Sequence, residues 1–166
     1  VEIGKIKYLE TLVIYGNTNT SLLPSPYRIG NALAELKYLK NLTISALGIT
    51  TIDKNELKEP CKVLRTLDVS GNNFTSIPYD LTPTNYPELL NLSLTGNRRY
   101  SSITDLSTET RDNPGLRIDA SSSSFKNLLK WEKLKSLSLS YNLIYGQLPT
   151  FINSYNGSPE YGVSAY

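Results

Sequence analysis

The sequence predicts an α/β solenoid, in which short strands and return segments repeat and stack along one axis. Three observations support this prediction. A frame of leucines recurs along the chain, apolar and polar residues alternate inside each frame, and the residues before the second frame have helical spacing. A single unit of this kind leaves its apolar face exposed, so neighbouring units must stack to bury it.

The recurring frame reads Leu-x-x-Leu-x-Leu-x-x-Asn, with Ile or Val at the third leucine in several copies. Its copies begin at Leu9, Leu39, Leu64, Leu89, Asn113 and Leu134. Their central leucines are separated by 30, 25, 25, 24 and 21 residues. The fifth copy is degraded, because Asn113 replaces its first leucine and Pro114-Gly115 follow. We predict about six repeats within one solenoid segment, residues 1–166.

Each frame alternates with period two, which is typical of a short strand with one buried face. Between the first two frames, residues 32–38 carry leucines three apart and predict a helix that returns the chain to the next strand. Residues 100–113 are polar and irregular, which predicts a protruding loop.

This pattern resembles the leucine-rich-repeat family over nearly the whole chain. The segment Ile144-x-Gly146-x-Leu148-Pro149 is similar to the extension of plant-type repeats. The resemblance implies a right-handed superhelix with a parallel β-sheet on its concave side and helices, turns or loops on its convex side. It also implies that the frame asparagines turn inward and hydrogen-bond the backbone of neighbouring turns. These are Asn17, Asn72, Asn97 and Asn142.

Composition argues against several functions. The net charge of +2 arises from 17 basic and 15 acidic residues without a basic run, so we expect no nucleic-acid partner. The chain has no histidine, which excludes histidine-based acid–base catalysis and zinc binding from its own residues. Cys61 stands alone and is expected to be a small buried residue. We therefore expect no enzymatic activity, cofactor or metal, and no segment that spans a membrane.

In the architecture that the resemblance implies, the non-leucine positions of the strands line the concave face. They are Thr11, Val13, Tyr15, Asn41, Thr43, Ser45, Thr66, Asp68, Ser70, Asn91, Ser93, Thr95, Gly115, Arg117, Asp119, Ser136, Ser138 and Ser140. The candidate binding residues are Tyr15, Thr43, Asp68, Ser93, Arg117, Asp119 and Tyr141. We favour the half with Asp68, Arg117, Asp119 and Tyr141, because charges there can fix the orientation of a protein or glycan ligand.

The repeat style is most similar to leucine-rich surface lipoproteins of Bacteroidetes-type bacteria. This similarity implies an extracellular or cell-surface recognition module, anchored through a lipid-bearing cysteine upstream of residue 1. Neither end of the sequence has a cap, which predicts an interior slice of a longer chain. The alternative is a segment that selects substrates for a catalytic domain outside residues 1–166.

Overall fold

The computed structural model describes residues 3–16, 28–97 and 116–147. Its strands are β1 (Thr11–Tyr15), β2 (Asn41–Ser45), β3 (Thr66–Asp68), β4 (Asn91–Ser93), β5 (Arg117–Asp119), β6 (Ser136–Ser138) and β7 (Leu143–Tyr145). Among the described residues, a 3-10 helix at Ile3–Lys5 precedes β1, and between the strands lie the 3-10 helices Gly30–Leu33 and Pro60–Lys62 and the α-helix α1 (Ser123–Leu128).

Five strands form one parallel sheet in the order β1-β2-β3-β4-β6. The register keeps equivalent frame positions side by side, since Leu12 pairs with Leu42, Leu42 with Leu67, Leu67 with Leu92 and Leu92 with Leu137. The predicted solenoid with a parallel sheet is therefore confirmed for these turns.

The core lies behind the sheet and is built from the frame leucines and the apolar residues of the return segments. Leu42 and Leu67 are fully buried, and Phe74 and Tyr86 are the largest fully buried side chains. Each buried leucine contributes roughly 1.5–3 kcal/mol relative to exposure to water. Cys61 is buried among them, as expected.

The frame asparagines form a ladder of side-chain hydrogen bonds between turns. Asn72 is buried; its Oδ1 accepts from the N–H groups of Leu47 and Ile49, and its Nδ2 donates to the carbonyl of Ile44. Asn142 reaches back in the same way, donating to the carbonyl of Leu94. The inward role predicted for these asparagines is confirmed, whereas Asn17 lies outside the described residues.

The fifth predicted frame does not contribute a strand to this sheet. Strand β5 pairs with β7 in a separate two-stranded sheet, and β6 pairs directly with β4. Leu116 and Ile118 are buried, so their alternation is that of a strand, but the strand belongs to the flank of the solenoid. The placement of Arg117 and Asp119 in a strand of the concave sheet was wrong, and Gly115 lies outside the described residues.

The return segments contain less helix than predicted. The helix expected over residues 32–38 is a 3-10 helix at Gly30–Leu33 followed by turns. Leu33, Leu36 and Leu39 are spaced by three residues, which matches the three residues per turn of 3-10 geometry. The backbone N–H of Leu36 accordingly donates to the carbonyl of Leu33. In the described parts of the chain, no helix is long and apolar enough to cross a membrane.

Two buried carboxylates connect successive return segments. Glu56 accepts hydrogen bonds from the backbone N–H groups of Gly30 and Asp53, and Asp80 accepts from that of Lys54. Because buried polar groups cost free energy unless they are paired, these contacts satisfy both the carboxylates and the backbone. The sequence analysis did not predict them.

Candidate binding face

The outward side of the five-stranded sheet presents a continuous polar surface, which we call the sheet face. Its residues are Thr11, Val13, Tyr15, Asn41, Thr43, Ser45, Thr66, Asp68, Ser70, Asn91, Ser93, Thr95, Ser136, Ser138 and Ser140. Residues in register form rows across the strands, so that Val13, Thr43, Asp68, Ser93 and Ser138 lie side by side. Since neighbouring strands lie about 4.8 Å apart, each row spans roughly 19 Å.

Successive residues of each strand belong alternately to the sheet face and to the core, because their side chains point to opposite sides of the sheet. In β2, Leu42 and Ile44 are buried while Asn41, Thr43 and Ser45 are partly exposed. Small hydroxyl and amide side chains therefore cover most of the surface, and a ligand can approach the sheet closely.

Several of these polar groups hydrogen-bond to each other, both between neighbouring strands and along one strand. Asn41 Nδ2 donates to Thr11 Oγ1 at 3.1 Å. The hydroxyls of Thr95 and Ser138 lie 2.6 Å apart, and Ser93 donates to Thr95 at 3.2 Å. These contacts hold the side chains of the sheet face in place before any ligand arrives.

Asp68 is the one charged residue among the residues of the sheet face, and it lies on the middle strand. Its Oδ1 accepts a hydrogen bond from the backbone N–H of Ser70 at 3.0 Å. No other hydrogen bond and no ion pair of Asp68 occurs within the described ranges. Its neighbours in register are the neutral residues Thr43 and Ser93, and no residue in the described ranges pairs with its second carboxylate oxygen.

Two large tyrosines lie at opposite ends of the sheet. Tyr15 is in the edge strand β1, and Tyr141 follows β6 at the other edge. Their side chains are strongly exposed, at 71% and 62%. Exposed tyrosines are among the residues in which binding energy concentrates at protein interfaces.

Tyr141 also adopts an unusual backbone conformation. Its φ is +58°, in the left-handed region. In the equivalent turns, Gly71 and Gly96 precede ladder asparagines with φ of +66° and +64°, and Ala46 precedes Leu47 with φ of +56°. The left-handed conformation costs an L-residue roughly 1–2 kcal/mol, which glycine avoids. Tyr141 therefore combines a large exposed side chain with a strained backbone conformation.

Arg117 and Asp119 lie on the flank of the solenoid and not on the sheet face. Arg117 is exposed beside Leu143. Asp119 Oδ1 accepts from both the backbone N–H and the hydroxyl of Ser121, at 2.8 and 2.6 Å. These hydrogen bonds lower the pKa of Asp119 because they favour the charged carboxylate. Asp119 therefore has a local structural role at the turn into α1.

The sequence-predicted site is brought together only in part. Tyr15, Thr43, Asp68 and Ser93 belong to the sheet face and Tyr141 follows its edge strand β6, whereas Arg117 and Asp119 lie in the separate sheet of β5 and β7. The predicted loop at residues 100–113 lies outside the described residues. Across the described ranges, no group of three or more cysteine or acidic residues is arranged to hold a metal ion.

A second exposed aromatic feature was missed by the sequence analysis. Tyr8 and Tyr38 occupy equivalent positions before β1 and β2, and their rings stack with centroids 5.6 Å apart. The ammonium group of Lys37 lies 5.2 Å from the centre of the Tyr38 ring. The repeat spacing of 30 residues between them was the signal that could have identified the pair.

Comparison with known protein families supports this architecture. The family model described as Leucine Rich Repeat matches residues 63–83 and 133–155. The two matches cover the turn that includes β3 and the turn that includes β6 and β7, and they support a leucine-rich-repeat family. Searches of curated proteins and of solved structures found no match.

Proposed function

We propose that this chain is a non-catalytic recognition module that binds a protein partner on the sheet face. Leucine-rich repeats generally mediate protein binding. The observation that carries the proposal is the continuous row of small, pre-positioned polar side chains with an exposed tyrosine at each end. This arrangement gives a partner hydrogen-bonding groups in the middle and aromatic contact area at the edges.

The proposal also includes a cellular location and a means of anchoring. The module would belong to a secreted or cell-surface protein, with a lipid-bearing cysteine upstream of residue 1. This part rests on the resemblance of the repeat style, and the sequence of the full-length gene tests it. A lipoprotein signal upstream would support the setting, and a catalytic domain elsewhere in the chain would favour a substrate-selecting role instead.

Photo-crosslinking tests the binding face. A photoreactive phenylalanine analogue is placed at Ser93, beside Asp68 on the sheet face, or at the exposed Lys58, in the return segment between β2 and β3. In the full-length protein on its native cells, we expect a discrete protein adduct from position 93 and none from position 58. Adducts of equal yield at both positions, or none at position 93, would contradict the proposal.

A glycan array provides the comparison with a carbohydrate ligand. The wild-type chain and a Ser93→Trp variant are applied to the same array. We expect no glycan to be retained in a manner that depends on Ser93. A glycan bound by the wild-type chain and lost in Ser93→Trp would replace the protein partner by a carbohydrate on the same face.

A further inference from the structure

We infer that the sheet face fits an extended polypeptide segment with one lysine or arginine at its centre, which pairs with Asp68. This inference rests on the proposed function and specifies the chemistry of the partner. It starts from the charge distribution of the sheet face, where Asp68 is the single charged side chain and lies on the middle of five strands.

The local hydrogen bond of Asp68 occupies one carboxylate oxygen, and the neighbouring strands keep their register without an equivalent carboxylate. Its Oδ1 accepts from the N–H of Ser70. The equivalent positions in the neighbouring strands are Thr43 and Ser93, and these strands keep the same parallel register without an acidic residue. The fold therefore tolerates small neutral side chains here, and the charge is available for a ligand.

A carboxylate on a partly exposed sheet attracts a cation, and a partner with a complementary charge gains orientation and association rate. The polar neighbours of Asp68 can accept the remaining N–H groups of a lysine or arginine head. Ser93 and Thr43 lie in the adjacent strands, roughly 4.8 Å away on each side. A single basic side chain is the smallest group that satisfies this arrangement.

Two basic residues at the edge of the sheet face limit the number of basic residues that the bound segment can carry. Arg65 and Lys135 are exposed at the starts of β3 and β6, next to Thr66 and Ser136. Their positive charges repel a segment with several basic residues. The charge pattern thus favours one central cation over a polybasic partner.

The tyrosines set the length of the segment. Tyr15 lies in β1 and Tyr141 follows β6, so each is two strands away from β3, or roughly 10 Å across the sheet. Tyr15 is also two residues, and Tyr141 three residues, beyond the row that contains Asp68, which places them roughly 12 and 14 Å from it. An extended chain rises about 3.4 Å per residue, so apolar side chains about three to four residues before and after the cation would reach the two rings. The expected motif is an apolar residue, a central lysine or arginine, and a second apolar residue at that spacing.

A peptide library tests this motif. Random dodecapeptides displayed on phage are selected on the immobilised wild-type chain, and each enriched peptide is then tested against Ser93→Trp. We expect peptides blocked by Ser93→Trp to share a central lysine or arginine. If no enriched peptide is blocked by Ser93→Trp, both the inference and the proposed function are overturned.

The charge is tested separately with synthetic versions of a blocked peptide. Asp68→Asn keeps an acceptor for the Ser70 N–H and removes the charge, and we expect it to weaken binding about tenfold or more. Glu35→Gln, which removes an exposed acid from the return segment before β2, should leave affinity unchanged. A peptide with glutamate in place of its basic residue should bind Asp68→Lys better than it binds the wild-type chain.

Failure of the pairing with Asp68 can be distinguished from failure of the proposed function. Peptides that are blocked by Ser93→Trp but lack a basic residue, or bind Asp68→Asn as tightly as the wild-type chain, overturn the pairing with Asp68. The sheet face would then remain a binding surface with a different central contact.

Discussion

The backbone N–H of Leu116 donates a hydrogen bond of 2.9 Å to the carbonyl oxygen of Asn97. The chain therefore returns, at Leu116, to the point that it left at Asn97. Both residues are buried, and β5 follows directly. The fourth turn of the solenoid is thus closed by contacts between residues on either side of residues 98–115.

This closure predicts that residues 98–115 can be replaced by a Gly-Ser-Gly-Ser linker. The free energy of unfolding should change by less than about 2 kcal/mol, because shortening the 18 residues to four is slightly more than two halvings, and each halving alters the closure entropy by only about 0.6 kcal/mol. Urea denaturation followed by circular dichroism measures the change. A larger loss would show that side chains within residues 98–115 stabilise the solenoid.

The strand that begins after Leu116 shows which part of the fold could not be predicted from the sequence. Leu116 and Ile118 alternate with polar residues as Leu67 and Val69 do, and both pairs are buried. Alternation identifies a strand with one buried face but not the strand with which it pairs. The frame of Leu116 therefore looked like a fifth turn, although its strand pairs with β7.

Other parts of the molecule were predictable because they depend on local repetition. The leucines and asparagines recur at fixed offsets, so their burial and their hydrogen bonds followed from the frame. The contacts of Glu56 with Gly30 and of Asp119 with Ser121 depend on how return segments pack or turn, and no repeated frame specifies them. The sequence accordingly predicted the strand positions of Tyr15, Thr43, Asp68 and Ser93, and it misplaced Arg117 and Asp119.

Leu67→Ala should destabilise the chain by about 2–5 kcal/mol. Leu67 is fully buried at the centre of β3, and truncating a buried leucine removes apolar contacts and leaves a cavity. Chemical denaturation measures the loss. The control is Thr66→Ala, on the sheet face of the same strand, which should cost less than about 1 kcal/mol. Equal losses in the two variants would mean that the core side of β3 is wrongly assigned.

Asn72→Ala should cost at least about 3 kcal/mol, because buried groups of several residues lose their partners. The Asn72 side chain accepts from Leu47 and Ile49 and donates to Ile44 and Val69. Asn142 makes similar contacts but is only partly buried, so Asn142→Ala should cost less, since water can reach the vacated groups. If Asn72→Ala and Asn142→Ala lose equal stability, the burial of the asparagine does not determine the cost of removing it.

The lowered pKa of Asp119 predicts a pH dependence. Hydrogen bonds from Ser121 favour the charged form in the folded state, so their stabilising contribution is present above the unfolded-state pKa of the carboxyl group. It is lost as the pH falls through the folded-state pKa. Asp119→Asn should therefore lose stability at pH 7 relative to the wild type and show a smaller decrease on acidification.

Ser121→Ala checks the cause of that pH dependence. It removes the hydroxyl donor at 2.6 Å and leaves the backbone N–H donor in place. The difference in stability between pH 7 and pH 3, measured by urea denaturation, should lie between those of the wild type and Asp119→Asn. A Ser121→Ala profile identical to that of the wild type would remove the hydroxyl from the explanation.

Tyr141→Gly should stabilise the fold and weaken binding. Glycine relieves the left-handed strain of roughly 1–2 kcal/mol but makes the unfolded chain more flexible, so we expect a net gain of about 0.5–1 kcal/mol.

The reverse change, Gly71→Ala, should cost about 1 kcal/mol through its conformation alone, since an added Cβ would meet its nearest atom at 3.5 Å, an ordinary contact. Ala46→Gly, at the equivalent turn after β2, should gain stability without any effect on ligands. Thermal unfolding measures all three, and peptides that are blocked by Ser93→Trp measure the binding. If Tyr141→Gly gains stability and keeps full affinity, the exposed ring is not a contact for the partner.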